Sequence, residues 1–338
     1  MTDTIAVGAA IGAAGAVATG AVAIQTRALR RTFEARSGPV EAVAGVDLEV
    51  RTGEIFGFLG PNGAGKTTTL RMLSTLLPPT SGEAMVAGAD LLTEAALVRR
   101  RIGYVGQIGG SDLLETGRNE LVFQGRLHGM SAAASRQRAT ELLASLEIES
   151  CADRKTATYS GGQRRRLDIA IGLMHSPQLV FLDEPTTGLD PQARAHLWVE
   201  VRRLREHGTT VFLTTHYLEE ADALCDRLAI IDHGRIVAEG TPDQLKRQVA
   251  GDAITLSLTQ PSDTALDQLR SLPFVREASA EDGRIRLYVD RGETAMPALL
   301  RALDAADLQM ATLTIARPSL DDVFLAKTGR SLRESTSA

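Results

Sequence analysis

Apolar positions along the chain fall into two rhythms. Unbroken apolar runs, IFGFL at residues 55–59, LVFL at 179–182 and VFL within TTVFLTTH at 209–216, are short and closely bounded. Runs of this length read as strands buried on both faces, as in a parallel sheet covered by helices. TTLRMLSTLL after the first run has helical spacing. So do GRNELVFQGRLHGM and SRQRATELLASLEI, two amphipathic helices separated by Gly129, the second capped by Ser131. After Lys246 the rhythm changes: ITLSLT, DTALDQLRSL, VREASAE, RIRLYVD, ETAMPALLRALDAA and MATLTIA alternate as β-α-β-β-α-β, with an Asp282-Gly283 turn between the middle strands. That order is the split βαβ arrangement of ferredoxin-like domains. The expected fold is α/β over residues 22–248, with a helical insertion over about 111–149, followed by a small α+β domain over 249–338.

Chemistry concentrates at the ends of the apolar runs. GPNGAGKTT, residues 60–68, fits the G-x-x-x-x-G-K-[ST] pattern between a strand and a helix. Gly60, Gly63 and Gly65 let the backbone curl so that its N–H groups face phosphate oxygens, with Pro61, Asn62 and Ala64 completing the ring. Lys66 brings positive charge to the outer phosphates of ATP, Thr67 offers a hydroxyl to Mg2+, and Thr68 continues the helix N-terminus. A glycine-rich turn before a helix is also a common structural device, so the other motifs matter.

The run at 179–182 delivers Asp183 and Glu184 to the C-terminal edge of the sheet. Beside a phosphate loop, Asp183 suits magnesium and Glu184 suits orienting and deprotonating a water. The strand 209–216 ends at His216, which at the same edge can donate a hydrogen bond to a phosphate; a structural role is the alternative. In YSGGQ, Ser160 caps a helix opened by Gly161, Gly162 and Gln163, giving a second anion-binding N-terminus. One chain does not easily bring both N-termini to one phosphate, whereas two copies about a twofold axis do.

The order of these motifs resembles the ATP-binding subunit of ABC transporters, over about residues 23–245. The resemblance implies the P-loop NTPase fold of ABC ATPases, with residues 60–68 as the Walker A loop, Ser160 to Gln163 as the signature and residues 188–190 as the D-loop. It makes Asp183 and Glu184 the Walker B pair, His216 the switch histidine, and Gln107 in YVGQ the Q-loop glutamine, serving catalysis and magnesium together. It also sets Phe33 against adenine, although one aromatic in RRTFEARSG is explained equally by a small core contact. The helical insertion and Gln107 are implied to grip a membrane partner. Tyr159 departs from the usual leucine before the signature serine. More narrowly, residues 164–194 and PSLDDVFLAKTGR at 318–330 resemble the daunorubicin-resistance type of drug-exporter ATPase. Such an ATPase is a separate polypeptide that pairs with an integral membrane permease, and transport is outward.

Composition narrows the picture in a few places. With 42 acidic and 37 basic side chains the net charge is −5, which argues against a nucleic-acid partner. Cys151 and Cys225 lack paired spacing, so neither a disulfide framework nor a zinc site is expected. Residues 4–26 carry no charge, yet alanine and glycine gain little in lipid and Asp3 precedes them. They are expected to be a tail over residues 1–21 that runs into the first strand, not a span, leaving the protein peripheral on the cytoplasmic membrane face. The segment 318–325 is expected to dock its apolar side chains on a neighbour. The competing classes are a soluble ABC ATPase acting on ribosomes or DNA, which usually carries a second cassette or long coiled coil, and an ATP-binding regulatory subunit, against which Glu184 and His216 speak.

Overall fold

The computed structural model describes residues 21–36, 38–248, 251–259, 265–281, 284–316 and 318–329. The expected tail and the Asp282-Gly283 turn lie outside the described residues, Ala21 excepted. By internal contacts the chain divides into two compact units, between Val237 and Ala238. This differs from the expected boundary after Gln248 because helix Pro242–Gln248 packs against helix Leu320–Thr328, with Leu245 and Phe324 fully buried.

The first unit is built on a six-stranded sheet in the order Arg235–Gly240, Arg227–Asp232, Ile55–Leu59, Thr210–Thr215, Leu179–Asp183, Ile102–Val105. Its central pairs are parallel. The three apolar runs are its middle strands, and every residue in them is buried, as two-sided cover requires. Phe212 sits at their centre, 5.8 Å from Phe56 in a stacked pair and 5.6 Å from Phe181 edge-on. Such aromatic pairs add about 0.5–1.5 kcal/mol each beyond area burial. A second sheet pairs Val22–Ala35 with Gly38–Arg51 and Ser81–Val86, all antiparallel, with Ala89–Asp90 at its edge. The insertion forms helices Gly117–Leu127 and Ala132–Ser145, their N–H groups capped by Thr116 and Ser131, with Gly129 at φ 82° turning the chain between them.

In the second unit the elements follow β-α-β-β-α-β from Asp252–Leu258 to Met310–Ala316. Its four-stranded antiparallel sheet has the order Val275–Glu281, Arg284–Val289, Asp252–Leu258, Met310–Ala316. Alternate residues Ile254, Leu256, Ile285 and Leu287 point into a core shared with Leu269, Leu299 and Leu303 of the two helices. The segment 318–325 becomes the start of helix Leu320–Thr328, which buries Leu320, Val323 and Phe324 and leaves Leu325 exposed.

Candidate functional site

The glycine loop is shaped by what surrounds it. Gly65 lies at φ 104°, and a Cβ there would meet the Ala42 carbonyl at 2.5 Å; one on Gly60 would meet the Ile231 carbonyl at 2.4 Å. Both positions exclude a side chain. Gly234 N–H donates to Ala64 O at 2.9 Å and Ala44 N–H to Gly234 O at 2.8 Å, so the loop is fixed between the two sheets. No side chain caps the helix Lys66–Leu73 that follows. Its first-turn N–H groups therefore remain available to an anion.

Lys66 is buried and donates to the carbonyls of Gly60 at 2.7 Å and Pro61 at 3.1 Å. Burial pulls its ammonium below the usual lysine range, opposed by the charges of Glu184 and Asp183. Asp183 Oδ1 accepts from Thr67 Oγ1 at 3.1 Å and Thr214 Oγ1 at 2.7 Å. Glu184, at φ 45°, is held by its N–H, which lies 3.0 Å from Thr214 Oγ1 and 3.1 Å from Thr214 O. Its carboxylate is a meeting point. Lys66 Nζ stands 3.4 Å from Oε1, while Oε2 accepts from Gln107 Nε2 at 3.0 Å and from Thr187 Oγ1 at 3.3 Å. His216 Nδ1 lies 3.3 Å from the same oxygen, as a close contact and not an aligned hydrogen bond. Burial pushes the Glu184 carboxyl up, but the His216 ring and the Lys66 charge outweigh it and hold it below the usual glutamate range.

These groups line a cavity of about 690 Å3 together with Pro61, Asn62, Gly63, Gly65, Thr67 and Thr68. Asp183, Gly60 and Ala64 are not among the lining residues; Asp183 is buried and accepts from the lining Thr67. Ala42 and Thr187 also line it, and sequence reasoning missed both: nothing in VEAV or PTTG marks a residue brought in by a neighbouring sheet or turn. Arg165, buried beside the site, was missed as well inside its run of arginines. Phe33 is not among the lining residues; it is half exposed, with the Arg31 guanidinium 4.6 Å above its ring. Nor are Ser160 to Gln163. There Ser160 Oγ accepts from Gln163 N–H at 3.2 Å and Gln163 Oε1 accepts from Ser160 N–H at 3.0 Å, a reciprocal cap. Tyr159 is buried and its hydroxyl donates to Cys151 O at 2.7 Å, tying the turn before Ser160 to the short helix Glu149–Cys151 that follows the insertion, a bond leucine lacks. Thr67, Asp183 and the Gln107 amide present hard oxygen donors of the kind a small divalent cation accepts.

A phosphate loop and a carboxylate pair at the edge of one parallel sheet, with a second glycine-opened helix on the same unit, define an ABC-type ATPase. A family model described as ABC transporter matches residues 43–187, and the chain belongs to this family as the ATPase of a transporter. Within it the chain is of the daunorubicin-resistance type, the ATP-binding subunits of drug-resistance exporters: the model of the DrrA1-3-like ATP-binding protein C-terminal domain matches residues 240–328. The daunorubicin resistance ATP-binding protein DrrA3 of Streptomyces coeruleorubidus is 45% identical over 90% of this chain and 96% of its own. The linearmycin resistance ATP-binding protein LnrL of Bacillus subtilis is 37% identical over 88% of this chain and 96% of its own. Among solved structures, a dimeric ATP-binding cassette in a post-hydrolysis state with ADP and Pi matches at TM-score 0.60 and 28% identity, covering 64% of this chain and 98% of that one. A model of an AAA domain, described as a putative AbiEii toxin of a Type IV TA system, matches residues 155–222. Among the described residues no helix is long and apolar enough to cross a membrane.

Proposed function

We propose that this chain binds and hydrolyses ATP at a head-to-tail interface between two copies, and so drives efflux of a drug-like or hydrophobic compound through a separate integral membrane permease. The observation that carries this reading is the convergence of Lys66, Gln107 and His216 on the Glu184 carboxylate at the edge of the loop cavity. In the proposed reaction the loop N–H groups and Lys66 hold the phosphates, and Glu184 orients a water and takes its proton as the water oxygen attacks the terminal phosphorus, releasing ADP. His216 and Gln107 steady the base and the transferred phosphoryl group. Thr67, Asp183 and Gln107 would hold Mg2+, which supplies charge neutralisation of the phosphates. Ser160 to Gln163 of a second copy would close each nucleotide, and Phe33 would approach the adenine.

Replacing Glu184 by Gln is the direct test. The variant is expected to bind ATP, to lose turnover by about 10²–10⁴, and to accumulate as an ATP-bound dimer in size-exclusion chromatography. A monomeric variant with full turnover would sink both the base and the sandwich.

The relatives' names support outward transport, and the location that follows is peripheral, on the cytoplasmic membrane face beside the permease. Exposed Phe123 and Leu127 on the insertion, with Ile108 after Gln107, suit an apolar partner surface. The second unit is proposed to be a ferredoxin-like accessory domain with a role in assembly. Its expected weak point is Phe324, whose truncation to Ala should cost about 3–5 kcal/mol of that domain's stability, read in denaturant melts, while nucleotide affinity holds.

A further inference from the structure

The signature helix Gly161–Leu173 carries three consecutive arginines after its opening GGQ, Arg164, Arg165 and Arg166, and one of them is unlike the others. Arg165 is only 7% exposed. Its Nε donates to Pro185 O at 2.8 Å, Nη1 to Gly106 O at 2.6 Å and Nη2 to Asp183 O at 3.2 Å. Those carbonyls belong to the residue before Gln107 and to the residues on either side of Glu184. One turn further, the Asp168 carboxylate faces the backbone N–H groups of Gly110 and Ser111. It comes so close that a Cβ on Gly109 would lie 2.5 Å from its Oδ2. The signature helix thus grips the segment around Gln107 on both sides and the backbone around Glu184 as well.

A buried guanidinium satisfies these carbonyls, but satisfying them does not by itself call for a fork that spans two separate segments. What the planar fork supplies is direction, three donors at fixed angles that a lysine cannot reproduce. We infer that Arg165 is a positioning residue that locks Gln107 and Glu184 to the signature helix, so that tilting this helix moves both together. The inference rests on the roles proposed above for those two residues and for the two-copy sandwich. Because Ser160 to Gln163 of the same helix would close the nucleotide of the other copy, Arg165 makes occupancy of one site felt at the second.

The test uses the full-length chain with Arg165→Lys and Arg165→Met, reading turnover against ATP concentration, affinity for a fluorescent ATP analogue, and thermal melting. Expected in both variants are a fall in kcat of about 100-fold, a Hill coefficient dropping to about 1 and affinity close to the unaltered chain, with no rescue by Lys. The melting temperature falls in Arg165→Met, which leaves the carbonyls unpaired, and less in Arg165→Lys. Gly109→Ala, which displaces Asp168, should lower kcat in the same sense but less. Folded variants with kcat and cooperativity within about twofold of the unaltered chain would overturn the assignment. So would a joint loss of affinity, turnover and melting temperature that Lys restores, since that is a structural role. Glu184→Gln run in parallel separates the two levels. Full turnover there removes the base and this inference with it, whereas an inactive Glu184→Gln beside a normal Arg165→Lys overturns only the inference.

Discussion

Two helices of the nucleotide unit begin with glycines, and they begin in opposite ways. Lys66–Leu73 starts from Gly65 in the left-handed region with no side-chain cap, leaving its N–H groups unspent. Gly161–Leu173 starts from Ser160 in extended conformation with a complete capping box, so the N–H groups of Ser160 and Gln163 are already engaged. Phosphate at the first start meets no side-chain competitor, whereas at the second the Gln163 N–H is already given to Ser160 Oγ and fewer donors remain. The contrast fits the proposed roles: one helix end built as a standing anion seat, the other as a conditional one that a second copy would complete.

The largest break in this contrast is Lys66→Ala, which removes the buried cation of the permanent seat. ATP affinity is expected to fall by at least about 100-fold, about 3 kcal/mol, measured by equilibrium binding; undiminished affinity would show that residues 60–68 are not the seat. A smaller effect is expected at the conditional end. Ser160→Ala should cost about 1 kcal/mol of stability through the lost cap, leave ATP binding by the isolated chain unchanged, and weaken ATP-dependent dimerisation in light scattering. Loss of binding by the monomer would erase the distinction between the two ends.

The mildest probe is pH. The Glu184 carboxyl lies below its ordinary value in the folded chain, so its ionised form contributes stability above the unfolded value and loses that contribution as pH falls below about 4.3 through the depressed folded value. Melting curves of the unaltered chain should therefore drop more steeply on the acid side than those of Glu184→Gln, and parallel curves would show that the Lys66 and His216 contacts carry no net energy.

Much of this was legible because parallel core strands write themselves as unbroken apolar runs. IFGFL, LVFLD and TVFLTT needed no partner to be read, and their C-terminal ends led directly to Gly60, Asp183, Glu184 and His216. The alternation after residue 251 was equally plain, since one face of that sheet is covered and the other is polar. What stayed hidden depends on contacts distant in sequence. Ala42 reaches the loop through the pairing of Val22–Ala35 with Gly38–Arg51, and that pairing sets which residue meets Gly65. Arg165 shares its residue type with Arg164 and Arg166, and only the helix phase buries it among carbonyls.

The backbone of Glu184 carries a last consequence. At φ 45° Glu184 is held in a conformation that costs an L-residue about 1–2 kcal/mol, and glycine would escape that cost. Glycine here would relieve that strain but would also strip the Lys66 ammonium of its ion partner and, on the role proposed for Glu184, end turnover. Libraries built to harden this protein need a turnover screen at every round, because at this position relief of backbone strain and the proposed work pull in opposite directions.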